Sequence, residues 1–474
     1  MAQEVKFGTG GWRAIIGDGF TKDNVRKLTS ALASKILAEG VDDKPVVIGY
    51  DRRFLSDLAV KWAAEVLIGA GIEVHVIKRE APTPLVMYTV KRDSLSYGMA
   101  VTASHNPAEY NGIKVFIEGG RDADQEATED LERYLEKVPA DEAIPSVPYE
   151  EALDDGRAKI INPFNDYIDS ILNQIDMQKI RDAALYVILD PMFGVSRTSL
   201  QTILLTTRCE VDVIHDRRDT LFGGRLPSPN TKTLNALTDN VLESGADIGI
   251  ATDGDADRLG IIDDQGGFLH PNQILVLLYY YLVKYKGWKG PVVRNVATTH
   301  MLDKVADLFG ETCYEVPVGF KHISSKMIET NAVIGGESSG GLTVRGHISG
   351  KDGIYAGSLL VEMIAVVGKP LSAIYEEIVG QFKPLFMVEN DFRFAPQDKQ
   401  KINYVLFEEK KLPAFDYKIS RVSYEDGCKV YFENGGWIIC RFSGTEPLIR
   451  IFCEMPSTEE AEKTSEVMQG FLAL

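Results

Sequence analysis

The chain has 474 residues, of which 25% are charged and 45% hydrophobic, and 51 Lys and Arg against 69 Asp and Glu give a formal net charge of −18. This composition is that of an ordinary globular protein, which excludes a disordered chain, a collagen-like repeat and a disulfide-rich secreted module. The acidic balance also argues against a nucleic-acid partner, because phosphate backbones need a basic surface, and the length predicts about three domains.

The sequence also indicates the cellular location of the protein. The longest charge-free apolar run, residues 274–283, falls well short of the roughly 20 residues that span a bilayer. No basic start followed by an apolar core precedes Phe7, so we predict no signal peptide. The cysteines are scattered without a Cys-x-x-Cys pair, which favours reduced, mostly buried thiols. We therefore expect a cytoplasmic protein with no membrane partner.

The N-terminal third alternates helix and strand patterns. Val25, Leu28, Leu32 and Ile36 recur at intervals of three and four residues behind Thr21, which predicts an amphipathic helix with Thr21 as its N-cap. Periodicity predicts a second helix over residues 58–67 and strands over residues 46–48, 74–77 and 97–101. Strands that alternate with helices indicate right-handed βαβ units and a largely parallel sheet.

The same pattern restarts twice beyond a polar stretch at residues 137–148. The second cycle predicts strands over residues 185–189, 211–214 and 248–251, and the third predicts strands near Val292 and residues 333–334, with helices around Ile274, Met301 and Ile323. Past Gln381 the chain becomes richer in aromatic and β-branched residues until Thr458. We predict an α/β protein of three similar domains with mainly parallel mixed sheets and a smaller C-terminal α+β domain, over residues 1–150, 151–262, 263–378 and 379–474.

Residues 102–107 (TASHNP) follow a predicted strand, at the end where α/β sheets collect ligands. An exposed Ser104 beside His105 predicts a nucleophile next to a proton-transfer group. A plain turn is the alternative, because Ser, Asn and Pro all favour turns. Neighbouring side chains point in different directions, so adjacency does not make Ser104 and His105 a hydrolase triad.

A second loop, residues 253–258 (DGDADR), carries three carboxylates at alternate positions, on Asp253, Asp255 and Asp257. Such carboxylates can converge on one hard cation such as Mg²⁺ or Ca²⁺. The EF-hand pattern does not fit, because Arg258 and Asp264 stand where it requires Gly and Glu. A solvated acidic loop is the alternative. Three carboxylates leave coordination positions open for a phosphate oxygen.

Two further loops combine glycines with polar side chains. Residues 335–341 (GGESSGG) allow a close backbone approach to a ligand and offer Glu337 to sugar hydroxyls, although a flexible turn is the alternative. Residues 441–447 (RFSGTEP), with Arg450 close behind, predict a compact anion cradle that binds phosphate, with a common Ser-Gly-Thr turn as the alternative. The four loops together predict phosphoryl transfer on a phosphorylated polyol.

At this point the chain resembles the α-D-phosphohexomutase family, and within it the phosphoglucomutase type most closely. The resemblance covers nearly the whole length and keeps the family order and spacing. Its segments are residues 7–13 (FGTGGWR), 102–107, 111–114 (NGIK), 253–258, the loop around Glu337 and residues 441–447. The resemblance implies four domains around a central cleft, each contributing one loop.

The resemblance also implies the roles of the site residues. Ser104 would carry a phosphoryl group, and one Mg²⁺ per chain would be held by Asp253, Asp255, Asp257 and a phosphoserine oxygen. Arg13 would offset charge on the transferred group. The implied substrate ligands are Arg258, Lys321, Glu337, Ser339, His347, Lys351, Arg441, Ser443, Gly444, Thr445 and Arg450. Phosphoserine would give its phosphoryl group to the free sugar hydroxyl, and the resulting hexose 1,6-bisphosphate would return its other phosphate to Ser104.

Proton transfer and sugar preference are less directly indicated. Lys114 matches a family lysine proposed as general acid or base, and His105 is the alternative, with a purely positioning role equally open. Dual-specificity and glucosamine-type relatives carry His where this chain has Gly341, and the latter carry Gln where it has Ser338. Residues 346–353 (GHISGKDG) resemble the glucose type. We therefore predict interconversion of glucose 1-phosphate and glucose 6-phosphate, with mannose phosphates as the close alternative.

Two other classes of function need to be separated from a mutase. One is a metal-dependent sugar phosphatase, and the other is a sugar-phosphate binder without chemistry. Under the mutase hypothesis the partners are small sugar phosphates, glucose 1,6-bisphosphate is activator and intermediate, and the protein is a monomer or homodimer.

Overall fold

A computed structural model describes residues 5–7, 11–138, 143–394, 396–442 and 448–474. The chain folds into two compact units. Unit 1 runs to Ile274 and takes in Ser339–Ile374, whereas unit 2 contains Leu275–Ser338 and Tyr375–Leu474. The described strands form four sheets, in agreement with the predicted fold class. The predicted domain boundaries stay a prediction.

The first sheet, sheet 1, is built from the N-terminal segment of unit 1. Its elements are β1 (Trp12–Ile15), α1 (Lys22–Glu39), β2 (Val46–Tyr50), α2 (Ser56–Gly69), β3 (Val74–Ile77), α3 (Thr83–Arg92), β4 (Tyr97–Val101), β5 (Tyr110–Ile117), β6 (Arg121–Asp122), α4 (Gln125–Leu135), α5 (Tyr149–Asp154) and β7 (Ala158–Ile161). The predicted cap is present, because the Thr21 side chain accepts a hydrogen bond from the backbone N–H of Asn24. One apolar core lies among this sheet, α1 and α2.

Sheet 1 is mixed rather than largely parallel. Its order is β1-β5-β4-β2-β3-β7, with β6 beside β5. β4, β2, β3 and β7 are parallel neighbours, but β5 runs antiparallel to β4 and β1. The short loop between β4 and β5 explains the reversal, since a parallel pair needs a crossover of a dozen or more residues. Tyr50 and Val101 pair at the carboxyl ends of β2 and β4, so Asp51 and Thr102 emerge at the same edge.

The second sheet, sheet 2, also belongs to unit 1. Its elements are α6 (Phe164–Leu172), α7 (Met177–Ala183), β8 (Tyr186–Asp190), α8 (Arg197–Thr206), β9 (Glu210–Val213), α9 (Asn235–Ser244), β10 (Ile248–Thr252), β11 (Leu259–Ile262) and β12 (Phe268–Leu269). The order is β12-β11-β10-β8-β9. β8 is parallel to β9 and β10, and β11 turns back antiparallel to β10. The turn between β10 and β11 consists of residues 253–258 and is called the acidic loop below.

Residues 271–379 contribute to both units. Its elements are α10 (Pro271–Lys284), β13 (Val292–Asn295), α11 (Met301–Phe309), β14 (Cys313–Val316), α12 (Phe320–Thr330), β15 (Ile334–Gly336), β16 (Leu342–Val344), α13 (Gly353–Val367) and α14 (Leu371–Val379). In unit 2, β13 lies between β14 and β15 and is parallel to both. In unit 1, the buried helix α13 packs against α7 and α8.

The fourth sheet, sheet 4, lies in unit 2. Its segment contains β17 (Phe386–Arg393), α15 (Pro396–Asn403), β18 (Ile419–Ser423), β19 (Cys428–Phe432), β20 (Trp437–Phe442), β21 (Leu448–Met455) and α16 (Thr458–Leu472). The order is β17-β21-β20-β19-β18, and every neighbouring pair is antiparallel. This all-antiparallel sheet with α16 packed on β21 is the predicted α+β domain.

The cysteines are free thiols, as predicted. Cys209, Cys428, Cys440 and Cys453 are buried, and Cys313 is half-buried. Within the described part of the chain, no single helix is long and apolar enough to cross a membrane, and α13 and α14 pass that test only jointly, across a bend of 80°.

Candidate active site

Ser104 lies in the loop that leaves the carboxyl end of β4. Its backbone has φ 51°, in the left-handed region that non-glycine residues seldom occupy. The residue is 0% exposed, so the expectation of an exposed serine was wrong. The left-handed turn carries the side chain inward, against the acidic loop of sheet 2.

The hydroxyl of Ser104 contacts two groups. Oγ donates a hydrogen bond of 2.7 Å to Oδ2 of Asp253 and lies 3.2 Å from Nδ1 of His105. The expectation that neighbouring side chains diverge therefore does not hold here, because the left-handed backbone at Ser104 lets both side chains converge. The serine and the acidic loop meet within unit 1.

Asp253, Asp255 and Asp257 form the predicted carboxylate cluster. The three side chains are buried, and one oxygen from each lies within 4.8 Å of the other two. Oδ1 of Asp255 and Oδ1 of Asp257 are buried without a hydrogen-bond partner. Buried acceptors are normally satisfied, and oxygen-only donor sets suit hard divalent cations. The residues present therefore fit a divalent metal ion.

Two lysines neutralise part of this cluster. Lys114, on β5, places Nζ 2.7 Å from Asp255 Oδ2 and 2.6 Å from Asp257 Oδ2. Lys351 places Nζ 2.9 Å from Asp257 Oδ2. Burial alone would raise the pKa of Asp257, but Lys114 and Lys351 outweigh it and hold that pKa well below its usual range. Burial and the charges of Asp255 and Asp257 raise the pKa of Asp253 well above its usual range.

The two candidate proton-transfer groups differ in protonation state. Burial, Arg258 and Arg13 lower the pKa of His105 well below its ordinary value, so its imidazole is neutral near pH 7. Burial opposes the charge on Lys114, but Asp255 and Asp257 outweigh that effect and raise its pKa, so it stays an ammonium. His105 can accept a proton, whereas Lys114 can only donate one or supply charge.

Arg13 and Arg258 both contact loops of the site within unit 1. Arg13, on β1, donates from Nη1 to Oδ1 of Asn106 over 2.7 Å. Arg258 ends the acidic loop, with Nε 3.8 Å from Asp257 Oδ1 and Nη1 donating to the carbonyl of Ser339 over 3.4 Å. Burial and the positive charge of Arg258 lower the pKa of Arg13. Cations that contact the loops of the site in this way suit a phosphate.

The segment after Ser339 is fastened to the acidic loop. Gly341 forms a β-bridge with Arg258, and the N–H of Gly353 donates to the carbonyl of Ala256 over 3.1 Å. A Cβ on Gly341 would overlap the Cδ of Lys351 and lie 3.0 Å from its Cγ. The missing side chain at position 341 is thus what leaves room for Lys351 to reach Asp257.

His347 is buried and contacts the first turn of α13. Its Nε2 is 2.6 Å from Oδ2 of Asp352, and its ring packs against those of Tyr167 and Tyr355. Asp352 is the N-cap of α13 and accepts from the N–H groups of Ile354 and Tyr355. The contacts of His347 therefore orient the cap of a helix.

Unit 2 holds the remaining predicted ligands. Glu337 accepts hydrogen bonds from Asn295 Nδ2 (3.1 Å) and from the N–H of Gly319 (3.2 Å). Lys321 lies in the first turn of α12 and is half-buried. Asn295 was missed from the sequence, although it ends a buried strand at the edge where ligands collect.

Arg441 and Arg450 lie directly opposite each other on β20 and β21. Arg441 donates to Oδ1 of Asp426 over 3.2 Å, while its Nε is buried without a hydrogen-bond partner among the described residues. Arg450 lies 3.5 Å from Asp391. Like charges directly opposite on neighbouring strands are destabilising unless an anion joins them. The predicted ligands Ser443, Gly444 and Thr445 lie outside the described residues.

The backbone of Ser104 is surrounded by Thr102, from the same predicted loop, and by Asp51 and Arg53, which were not predicted from the sequence. Oδ2 of Asp51 accepts from Thr102 Oγ1 over 2.7 Å, and Arg53 donates to the carbonyl of Ser104 over 2.7 Å. Their position just after β2 and β4 was the available signal, since the carboxyl ends of adjacent parallel strands lie together.

Four family models of known proteins match most of the chain. The models are “Phosphoglucomutase/phosphomannomutase, alpha/beta/alpha” domain I at residues 4–142, domain II at 165–266, domain III at 270–382, and the C-terminal domain at 401–469. A “Phosphoglucomutase/phosphomannomutase” of Thermococcus kodakarensis is 31% identical over 463 residues, 97% of each chain. A “Probable phosphoglucosamine mutase” of Pyrococcus furiosus is 33% identical over 468 residues, 98% of this chain and 97% of the other.

A solved structure gives the same picture. It is described as a “putative phosphomannomutase” from Thermus thermophilus, and it superposes with a TM-score of 0.86 at 27% identity over 100% of both chains. The chain belongs to the phosphoglucomutase/phosphomannomutase family, the phosphohexomutases. It is accordingly an isomerase, an enzyme that transfers a phosphoryl group within its substrate.

Proposed function

We propose that this isomerase interconverts hexose 1-phosphate and hexose 6-phosphate by way of a phosphoserine at Ser104. The observation that carries the proposal is the contact of Ser104 Oγ with Asp253, 2.7 Å away, inside a buried cluster of three carboxylates. A hydroxyl beside a divalent-cation site is the arrangement that phosphoryl transfer needs, because such transfer depends on positioning and charge stabilisation.

Asp253, Asp255 and Asp257 are the residues that would hold Mg²⁺. The partnerless oxygens of Asp255 and Asp257 support this assignment. When bound, Mg²⁺ supplies Lewis-acid stabilisation of charge on a phosphoryl oxygen. Lys114, Arg258 and Arg13 add fixed positive charge from the protein itself, which offsets the roughly −2 charge of a phosphoserine.

The reaction moves one phosphoryl group out and one back. The phosphoserine gives its phosphoryl group to the free hydroxyl of the hexose monophosphate, the bond to Ser104 Oγ breaks, and a hexose 1,6-bisphosphate results. The sugar hydroxyl loses one proton and Oγ gains one. The other phosphate of the bisphosphate then returns to Ser104. When it returns, Oγ must lose that proton, and we assign its acceptance to His105, whose neutral Nδ1 lies 3.2 Å from Oγ.

The side chain of Ser104 is shielded from water by burial. Ser104 and the three aspartates are each 1% exposed or less. An enzyme that must transfer to a sugar hydroxyl rather than hydrolyse needs such exclusion. This burial favours a mutase over a phosphatase.

Arg441 and Arg450 are proposed to bind the phosphate that is not being transferred, together with Ser443, Gly444 and Thr445. The cross-strand pairing of the two arginines supports this assignment, because a phosphate would relieve their mutual repulsion. We propose that Glu337 and Ser339 contact sugar hydroxyls and that Lys351 and Lys321 contact a substrate phosphate. We do not extend this proposal to His347, because its ring is engaged with Asp352.

For the sugar we propose glucose, with mannose as the alternative. The placement of Lys351 against Gly341 supports a site that differs from one with a histidine at position 341. The phosphoglucosamine mutase name of the Pyrococcus furiosus relative weighs against glucose, which makes glucosamine the third candidate.

The deciding experiment measures kcat/KM for glucose, mannose, glucosamine and N-acetylglucosamine 1-phosphates, each with Mg²⁺ and its 1,6-bisphosphate. The proposal expects formation of the 6-phosphate without release of inorganic phosphate, with the highest value for glucose. Phosphate release without a 6-phosphate would contradict the mutase reaction. A higher value for glucosamine would leave the reaction intact and overturn the sugar assignment.

A further inference from the structure

Asp51 and Arg53, which follow the carboxyl end of β2, surround the backbone of the loop that carries Ser104. We propose that these two residues are positioning residues for the reaction: they hold the N–H and the C=O of Ser104 so that its left-handed backbone aims Oγ at the acidic loop. The inference rests on the proposed role of Ser104 as the phosphorylated residue.

Arg53 gathers four carbonyl groups of the serine loop. Its Nη2 donates to the carbonyls of Ser104 (2.7 Å) and Asn106 (2.6 Å). Its Nη1 donates to the carbonyls of Pro107 (2.7 Å) and Tyr110 (2.9 Å). The side chain is 1% exposed, so water does not compete for these bonds. Four carbonyl oxygens from one short loop are thus held by one guanidinium group.

Asp51 controls the other side of Ser104. Its Oδ2 accepts from Oγ1 of Thr102 (2.7 Å), and that same Oγ1 accepts from the N–H of Ser104 (2.8 Å). Its Oδ1 accepts from the N–H of Arg53 and the hydroxyl of Ser56. Asp51 and Arg53 also form an ion pair, with Nε 3.3 Å from Oδ2. Both hydrogen-bonding groups of the Ser104 backbone are therefore tied to this pair.

The positioning has a cost that the network must outweigh. A non-glycine residue held at φ 51° is strained and persists only where its surroundings enforce that backbone. If the carbonyls lost their donor, the loop could relax toward an ordinary backbone, and Oγ would turn away from Asp253. Phosphoryl transfer is sensitive to such changes, since a misplacement of about 1 Å can cost about a hundredfold in rate.

Only arginine can make this set of bonds. Its planar guanidinium carries five N–H donors in a fixed fork, whereas the lysine ammonium carries three and rotates freely. Lysine at position 53 would keep the charge beside Asp51 but leave at least one buried carbonyl without a donor. The Arg53→Lys variant therefore separates geometry from charge.

Arg52 offers a matched control in the adjacent position. Its Nη1 also donates to three backbone carbonyls, but those belong to Phe193, Asp216 and Arg217, away from the serine loop. Replacing Arg52 removes a comparable guanidinium–carbonyl cluster without touching Ser104. Thr102→Val is a second, nearly isosteric probe, because it removes only the hydroxyl that links Asp51 to the Ser104 N–H.

The experiment compares wild type, Arg53→Lys, Thr102→Val and Arg52→Met. It measures kcat, KM, the thermal midpoint, and the rate at which each protein gains a phosphoryl group from glucose 1,6-bisphosphate, followed by intact mass. We expect Arg53→Lys and Thr102→Val to lower kcat and the rate of phosphoryl gain by about a hundredfold, with KM changed less than about threefold. Arg52→Met is expected to keep the wild-type kcat.

Three results would overturn the inference. Full rates in Arg53→Lys and Thr102→Val would show that Ser104 needs no such support. An equal loss in Arg52→Met, tracking the thermal midpoint, would reduce the role of Arg53 to general stability. If the wild-type protein gained no phosphoryl group, both the proposed function and this inference, which rests on it, would be contradicted.

Discussion

Two clusters of charged side chains, one in each unit, differ in how fully their buried polar atoms are paired. The acidic cluster of unit 1 consists of Asp253, Asp255 and Asp257 with Lys114. The glutamate cluster of unit 2 consists of Arg294, Asp303, Glu315 and Lys429. Both are dense in charge, and Arg294 and Lys429 are buried like the three aspartates, whereas Asp303 and Glu315 are partly exposed.

The glutamate cluster is internally complete. Arg294 donates to both oxygens of Asp303 (2.7 and 3.0 Å) and to Glu315 (2.5 Å). Lys429 donates to Glu315 and to the carbonyl of Val296, each over 2.6 Å. Burial would raise the pKa of Glu315, but hydrogen bonding and the charges of Arg294 and Lys429 outweigh it and lower that pKa. The contacts bind β13, β14 and β19 together.

The acidic cluster is incomplete in comparison. Two of its carboxylate oxygens are buried without a hydrogen-bond partner, and burial together with like charges raises the pKa of Asp253. Among the described residues, the glutamate cluster has no buried side-chain oxygen or nitrogen atom without a hydrogen-bond partner. The unsatisfied acceptors distinguish the acidic cluster, which fits a cation, from the glutamate cluster, whose contacts join strands.

The largest effect is expected from Ser104→Ala, which removes the proposed nucleophile. We expect kcat to fall by about 10⁴-fold or more, because no other group can carry the phosphoryl group. The coupled assay for glucose 6-phosphate measures it. Ser199→Ala, at another fully buried serine of unit 1, serves as the control and should retain activity. Comparable loss in both variants would contradict the role of Ser104.

Glu315→Gln tests the structural side of the comparison. Removing the charge leaves Arg294 and Lys429 partly uncompensated, so we expect the free energy of unfolding to fall by about 3 kcal/mol. Urea denaturation measures this change, and kcat per folded molecule should stay near the wild-type value. A loss of kcat without a loss of stability would give this cluster a catalytic part.

Asp257→Asn tests whether the acidic cluster is the metal site. It removes one charged candidate ligand, and we expect the dissociation constant for Mg²⁺ to rise roughly tenfold or more. Titration calorimetry measures this constant directly, without activity. Asp303→Asn, in the glutamate cluster, is the matched control and should leave it unchanged. Unaltered Mg²⁺ binding by Asp257→Asn would show that the acidic cluster is not the metal site.

Gly341→Ala probes the contact that seats Lys351. Position 341 makes a β-bridge, so alanine adds overlap with Lys351 rather than backbone strain. We expect kcat/KM to fall by about tenfold, or about 1.4 kcal/mol. In a Lys351→Met background the same change should have little further effect. If the losses in kcat/KM were additive in the double variant, the two residues would act independently, contrary to this account.

The smallest effect concerns pH and His300, whose ring packs on Tyr431 and Trp437 beside Lys429. Burial, Arg294 and Lys429 lower its pKa to about 3. The unfolded chain therefore takes up a proton between about pH 6.5 and 3 that the folded protein does not, and stability falls as pH falls through that window. Thermal midpoints from pH 7 to 4.5 should decline less steeply in His300→Gln. Parallel curves would contradict the assignment.

The sequence allowed the local elements and the loops to be predicted because both depend on short-range patterns. The predicted strands over residues 74–77 and 97–101 match β3 and β4. The acidic loop was found because its three carboxylates are close in sequence. These features need no knowledge of which distant segments meet.

The remainder depends on long-range contacts that a single sequence does not encode visibly. The burial of Ser104 results from its left-handed backbone and from Asp253, which is 149 positions away. The bonds of Arg53 cross 51 to 57 positions. The hydrogen bond between His347 and Asp352, the N-cap of α13, was not predicted from the motif that contains both residues.

The most direct test of the central claim is the mass of the intact protein before and after exposure to glucose 1,6-bisphosphate and Mg²⁺, followed by localisation of any added group. We predict a gain of about 80 Da on the peptide that contains Ser104, and its loss when glucose 1-phosphate accepts the group in the absence of bisphosphate. No gain, or a gain on another residue that persists in Ser104→Ala, would contradict the account.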